Sequence, residues 1–167
     1  MRRSHLTAGA LLLFSAAVAV ATDVSVPAQV NQRLFPYVSF TILSGFPYEL
    51  PDPLADPADG ALENVIPPKV RAFDKKSLTV RGFILPLDLD QKGVSQFILT
   101  ASYDMCYFGA PIQMNEWVMV RMKNAQKIPF THFPVYVSGS FEVGEEKRDG
   151  RLQSLYRMAG DSVVIQK

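Results

Sequence analysis

The central part of the chain constrains the fold most strongly, because its apolar side chains alternate with the two-residue period of β-strands. Three strand patterns follow one another at 77–85, 94–100 and 116–122, and polar segments separate them. In the third pattern, alternate side chains would face opposite sides of a sheet. One of these sides would carry Trp117, Met119 and Arg121. These patterns predict a small all-β domain.

Two glycines interrupt the strand patterns and predict where the sheet bends. Gly82 lies inside the first pattern, and Gly139 lies inside a fourth pattern at 134–143. A glycine within a strand is typical of a bulge or a sharp bend, and small closed barrels need such bends. With two short final strands at 155–158 and 162–165, we predict a small antiparallel, OB-like barrel. The alternative is a small two-sheet β-sandwich.

The first residues have the three-part layout of a cleaved secretory signal peptide. Arg2 and Arg3 form a basic start, an apolar run of twelve residues follows at 9–20, and small residues precede a cleavage site after Ala21. The run is shorter than the ~20 residues that span a bilayer, and no later segment is long enough to do so. We therefore expect an exported, periplasmic protein with no transmembrane span after cleavage.

The chain beyond the leader divides into two parts. Residues 22–61 are expected to form a flexible lead-in, an aromatic arm at 34–48 and a loop rich in proline and acidic residues. We expect the arm to be a strand or an extended segment laid against the domain. Residues 62–167 are expected to form the OB-like β-domain, which opens with one helical turn after Pro67 and Pro68.

The charge balance argues against a nucleic-acid-binding protein. Lys and Arg number 17 and Asp and Glu number 16. Loss of Arg2 and Arg3 with the leader leaves a chain that is close to neutral. Proteins that bind nucleic acids normally present a basic stripe to the phosphate backbone. We therefore expect the partner to be an envelope protein or a small ligand.

Five short motifs, in their order and spacing, resemble the bacterial exported family known as domain of unknown function 3299. The motifs are VRGFILPL at 80–87, FIL at 97–99, CYFGAP at 106–111, NEWV at 115–118 and PVYVSG at 134–139. The resemblance implies a bacterial envelope protein with an OB-like fold and an accessory role beside a transporter. It implies no settled enzymatic activity. Members often have a second cysteine beside the position of Cys106, where this chain has Tyr107.

Cys106 is the residue with the widest choice of chemistry, because it is the one cysteine of the chain. Three interpretations are open: a buried small thiol, an intermolecular disulfide, or a metal-binding or redox thiol. A zinc or copper site would need several ligands, and the candidates are Cys106, His132 and Asp104. No spacing motif groups these three residues, so we predict no cofactor and no catalytic residue.

A contact surface is the preferred function for the residues around the cysteine. Its members are aromatic or sulfur-containing: Met105, Tyr107, Phe108 and Trp117. We predict a non-catalytic domain that binds a partner, and the alternative is a metal-handling or thiol-redox protein centred on Cys106. The neighbouring acids Asp88 and Asp90 are interpreted as part of a solvated hairpin turn.

Overall fold

The computed structural model of the chain describes residues 26–48, 66–103, 113–149 and 151–166. The prediction of an all-β domain is confirmed, because six strands form one sheet and the described helices are single turns. The strands are β1 (Tyr37–Val38), β2 (Lys76–Pro86), β3 (Gln96–Thr100), β4 (Trp117–Met122), β5 (Val135–Arg148) and β6 (Arg151–Ile165). The helical turns are α1 (Phe40–Leu43), α2 (Pro68–Arg71) and a 3₁₀ turn (Lys123–Ala125).

Five of the strands pair edge to edge in a ring. β2 pairs with β3, β3 with β4, β4 with β6, and β6 with β5, and β5 then returns to pair with β2. The two-sheet sandwich is therefore wrong, since all six strands belong to one continuous sheet. The sheet is also mixed rather than wholly antiparallel, because β4–β6 and β1–β2 are parallel pairs. Side-chain alternation predicts which face of a strand is buried, but it carries no information on which strand lies alongside.

The two glycines lie where the sheet changes direction. β2 pairs with β5 as far as Gly82 and with β3 from Phe83 onwards, so the strand exchanges partners at the glycine. An added Cβ at Gly82 would lie 2.6 Å from the carbonyl oxygen of Thr100. Beside Gly139 the register of β5 against β6 shifts, which leaves Asp161 as an extra residue on β6. Glycine thus permits a close backbone approach at both corners of the ring.

The hairpin of β5 and β6 is longer than the sequence predicts. The charged segment 145–150 predicts a turn, but β5 continues to Arg148 and β6 begins at Arg151. The two short final strands that we predicted form a single strand with a bulge. Charged side chains suit the solvent face of a two-stranded ribbon as well as a turn, so charge alone does not mark where a strand ends.

The aromatic arm is helical where we expected an extended segment. Only β1 is a strand, and the next residues form α1, which buries Phe40 and Leu43 on one side. These two residues are three positions apart, which is the spacing of one helical face. The prolines and glycines around the arm limit the helix to one turn. The hydroxyl of Tyr156 donates to the Leu43 carbonyl at 2.7 Å and fixes α1 to β6.

The core fills the inside of the ring. The largest fully buried side chains come from β3, β5 and β6, and they include Phe97, Phe141 and Tyr156. The predicted helical turn after the prolines is confirmed as α2, in which Val70 is fully buried. Over the four described ranges, no helix is long and apolar enough to cross a membrane.

Candidate functional site

A groove of about 160 Å³ runs across the outward face of β4, β6 and β5. We call it the β4–β6 groove. It combines the half-buried Met119 side chain with charged groups of both signs. Its lining residues are Met119, Arg121, Glu142, Glu146, Arg157, Met158 and Ala159.

The alternation of β4 places its part of the groove. Val118, Val120 and Met122 are buried on one face of the strand, so the intervening side chains point outward. Across the parallel pair, Met119 stands opposite Arg157 and Arg121 stands opposite Ala159. The small Ala159 side chain leaves space beside Arg121, since it has only a methyl group to fill that position.

The side of the groove formed by β6 and β5 holds an internally neutralised arginine. The Arg157 guanidinium donates through Nε to Glu142 at 3.1 Å and lies 4.0 Å from Glu146. It also donates through Nη1 to the Gly144 carbonyl at 2.9 Å. Two of the Arg157 donors, Nε and one on Nη1, are therefore engaged within the hairpin.

The β4 side of the groove differs in charge. Within the described part of the chain, no hydrogen bond or ion pair to the Arg121 guanidinium is found. Arg121 is exposed, and its neighbour Met119 is half-buried. The groove thus presents an available guanidinium next to a polarizable thioether, a combination that suits an anionic group attached to an apolar one.

Most residues of the predicted contact surface and metal site lie outside the described residues. These are Asp104, Met105, Cys106, Tyr107 and Phe108. Trp117 is described: it is half-buried, packs against the core and pairs with Thr100 across β3 and β4. Trp117 shares the outward face of β4 with Met119 and Arg121, so it lies at the end of the row that lines the β4–β6 groove.

His132 lies away from the β4–β6 groove, in a small aromatic cluster. Its ring meets Phe130 edge-on at 4.9 Å between centroids, and Tyr103 lies 6.4 Å away. Tyr103 also packs against Phe83 at 4.8 Å. Among the residues that the structure describes, no three His, Cys, Asp or Glu side chains are grouped to hold a metal ion.

Asp88 closes the turn between β2 and β3. Its carboxylate accepts hydrogen bonds from the backbone N–H groups of Ser95 and Gln96 at 2.8 and 2.7 Å and from the Ser95 hydroxyl. Lys127 adds an ion pair at 2.9 Å and a longer one to Asp90 at 3.3 Å. The hydrogen bond from the Ser95 side chain is the largest cause that holds the pKa of Asp88 well below its usual range.

The turn interpretation of Asp88 and Asp90 therefore agrees with the structure, although Asp88 is anchored rather than freely solvated. Its oxygens already accept hydrogen bonds from Ser95, Gln96 and Lys127. A carboxylate with these partners acts as a structural clamp on the loop. It is a poor candidate for an additional metal ligand.

Sequence reasoning missed the β6 and β5 side of the β4–β6 groove. Arg157 and Glu142 are distant in the chain and face each other only because of the β5–β6 register. The available signal was the alternation of residues 116–122, which correctly placed Trp117, Met119 and Arg121 on one face of β4. The partners of that row depend on a parallel pairing that no local pattern indicates.

The comparisons with known proteins agree on one family. The sequence profile of the family described as "Protein of unknown function (DUF3299)" matches residues 58–165. The fold is similar to the crystal structure of a DUF3299 family protein from Pseudomonas aeruginosa PAO1, with a TM-score of 0.55 and 22% sequence identity. That match covers 80% of this chain and 97% of the other. None of the curated proteins compared with the chain matches it.

Proposed function

Because the chain belongs to the DUF3299 family, whose function is unknown, we propose that it is an exported, non-catalytic β-domain that binds a partner protein or a small ligand in the β4–β6 groove. The observation that supports this proposal is that Met119 lies beside the available Arg121 guanidinium on an outward sheet face. Binding sites typically combine an apolar lining with a few placed polar groups. Methionine adapts its shape to different partners, which suits a contact surface.

The test of binding uses the methionine methyl groups as reporters. The protein is labelled with ¹³C at the methionine methyls and titrated with a panel of amino acids, dipeptides, sugars and short fatty acids. We expect at least one compound to shift the signal of Met119, which is half-buried and lines the groove. Met114, which is buried elsewhere in the core, is the internal control. A panel that leaves Met119 unmoved would contradict the proposal.

We further propose that the protein works in the periplasm as an accessory to an envelope transporter. The basic start, the short apolar run and the small residues before Thr22 support export. The transporter role rests on what the family resemblance implies. N-terminal sequencing of protein recovered from a periplasmic fraction should begin at Thr22, and recovery of the intact Met1 terminus from the cytoplasm would contradict export.

The ring of five strands supports an OB-like interpretation of the fold. An OB-fold is a five-stranded, partly open barrel built with Greek-key connections. Here the order β2–β3–β4–β6–β5 closes on β2, and the last two strands exchange positions relative to the chain. An experimental structure in which β2 and β5 separate would contradict this interpretation.

One observation supports the alternative of a metal-handling or thiol-redox protein centred on Cys106. His132 lies beside Tyr103, which precedes Cys106 by three positions in the chain. Thiol titration of the native protein tests the redox form, since a thiol that reacts only after denaturation is a buried one. Titration with zinc or copper, followed through the His132 ring signals in NMR spectra, tests the metal form, and unchanged signals would exclude His132 as a ligand.

A further inference from the structure

We propose that the β4–β6 groove binds an extended segment of a partner protein in which an apolar side chain and a carboxylate stand two residues apart. This inference rests on the binding function proposed above and names the chemistry of its occupant. The size, the charge distribution and the strand spacing of the groove support it.

The size of the groove favours side chains over a whole small molecule. Its volume of about 160 Å³ is below the roughly 300–1,000 Å³ that enclose a typical small-molecule ligand. One or two side chains fit such a space, while the backbone that carries them stays outside. A protein segment meets this condition, because it anchors a few side chains and spreads the remaining contact over the sheet surface.

The charge distribution sets where a carboxylate binds. On the β6 and β5 side, two glutamates share one arginine, so the trio of Glu142, Glu146 and Arg157 carries an excess negative charge. On the β4 side, Arg121 faces the small Ala159 side chain and is available for a bidentate contact. A carboxylate is therefore attracted to Arg121 and repelled from the opposite side, which gives the bound segment one orientation across the groove.

The spacing along β4 sets the pattern of the segment. Met119 and Arg121 are alternate residues on one face of a strand, so their side chains are separated by roughly 6.7 Å along the strand. An extended peptide presents its own alternate side chains at the same interval. A segment laid along β4 can thus place an apolar side chain on Met119 and a carboxylate on Arg121 together. Trp117 continues the row and offers a further apolar contact.

The test uses blocked five-residue peptides and the ¹³C-methyl signal of Met119. Two peptides carry the predicted pattern in its two chain directions: glycine-leucine-serine-aspartate-glycine and glycine-aspartate-serine-leucine-glycine. The controls replace aspartate by asparagine, place leucine and aspartate next to each other, or supply only the free acid 4-methylpentanoate. We expect one of the two patterned peptides to shift Met119 at the lowest concentration.

Variants of the protein then identify the charged side chain that binds the carboxylate. Arg121→Gln should weaken the binding of the aspartate peptide by up to roughly fivefold, the upper end of the range for an exposed ion pair, and leave the binding of the asparagine peptide unchanged. Glu142→Gln should strengthen the binding of the aspartate peptide, because the substitution removes a charge that repels the carboxylate. Arg71→Gln, at an exposed arginine on α2, is the matched control and should change nothing.

The outcomes separate this inference from the binding function on which it rests. Equal binding of the asparagine peptide, the adjacent-residue peptide or free 4-methylpentanoate would overturn the inference, while the shift at Met119 would still support a binding groove. Binding of a sugar or an amino acid from the wider panel, with no pentapeptide bound, would likewise overturn the inference and still support a binding groove. If neither the peptides nor the panel moves Met119, both proposals fail.

Discussion

The substitution Gly139→Ala tests most directly whether the ring depends on close backbone contact at its corner. An added Cβ at this position would collide with the carbonyl group of Ala159, lying 2.9 Å from its carbon, and would approach the Gly160 Cα to 3.0 Å. All of these atoms belong to the backbone of β6, which is paired with β5 in this register. The strand cannot move aside without breaking that ladder.

The expected cost follows from the kind of atom that must move. Overpacking a protein interior typically costs about 1–3 kcal/mol, and a clash with paired backbone belongs at the upper end, at about 3 kcal/mol. This is a large part of the roughly 5–15 kcal/mol by which domains are stable. With a urea m-value of about 2 kcal/mol/M, the unfolding midpoint should fall by about 1.5 M. Urea denaturation followed by the fluorescence of Trp117, the single tryptophan, measures the shift.

Gly160→Ala is the matched control because its obstacle is flexible. There the added Cβ would lie 2.6 Å from the sulfur of Met122 and 3.4 Å from its methyl carbon, at the free end of the side chain. Methionine can rotate away, so the cost should stay near 1 kcal/mol. If Gly139→Ala costs no more than Gly160→Ala, then the corner at Gly139 is not held by backbone contact and the reasoning is wrong.

Three further substitutions test individual hydrogen bonds. Asp88→Asn should lower the urea midpoint at pH 7 and flatten its pH dependence. Hydrogen bonds, foremost from the Ser95 side chain, depress the folded-state pKa of Asp88, so the stabilisation is present above the unfolded value near 4 and is lost as pH falls below it. An Asp88→Asn variant whose stability depends on pH as strongly as that of the original protein would contradict this. Thr79→Val removes the 2.7 Å hydrogen bond between the Thr79 and Ser138 hydroxyls and the 3.2 Å bond that Thr79 donates to the Phe35 carbonyl, so it should cost about 1–2 kcal/mol in urea denaturation. Combined with Ser138→Ala, the total cost should be smaller than the sum of the two single costs, and additive costs would show that the two hydroxyls are not coupled. Tyr156→Phe leaves the Leu43 carbonyl without its hydrogen-bond donor, so it should lower the free energy of unfolding by about 1 kcal/mol and speed the proteolysis of the arm. An unchanged cleavage rate would show that this hydrogen bond does not hold α1.

The local elements of the fold were predictable because they depend on side-chain period. The buried row of β4 and the helical turn at Val70 follow from alternation and from the proline rule, and both are present. The arm was predicted less well. The two-residue alternation of Val38, Phe40 and Ile42 predicts a strand. In the structure Ile42 is exposed and Leu43 is buried, because Phe40 and Leu43 face the core from one helical turn.

The candidate site was only half predictable for a related reason. The sequence predicted that Trp117, Met119 and Arg121 share one face of a strand, and the structure shows that this face points outward. The glutamates and the arginine that complete the β4–β6 groove belong to a hairpin whose register contains several shifts. Each shift changes which residues face one another, and the alternation of apolar and polar residues in the sequence does not indicate where a shift occurs.

By itself, the sequence determined the two alternating faces of β4, the helical turn after the prolines and the glycines at which the chain bends, because these depend on side-chain period, on proline geometry and on the missing side chain of glycine. The tertiary structure alone decided that β4 lies parallel to β6 and that β5 closes on β2. Strand partners are chosen by packing and by hydrogen bonds between segments that are distant in the chain. Those choices brought Arg157 and Glu142 to Met119 and gave the sheet its groove.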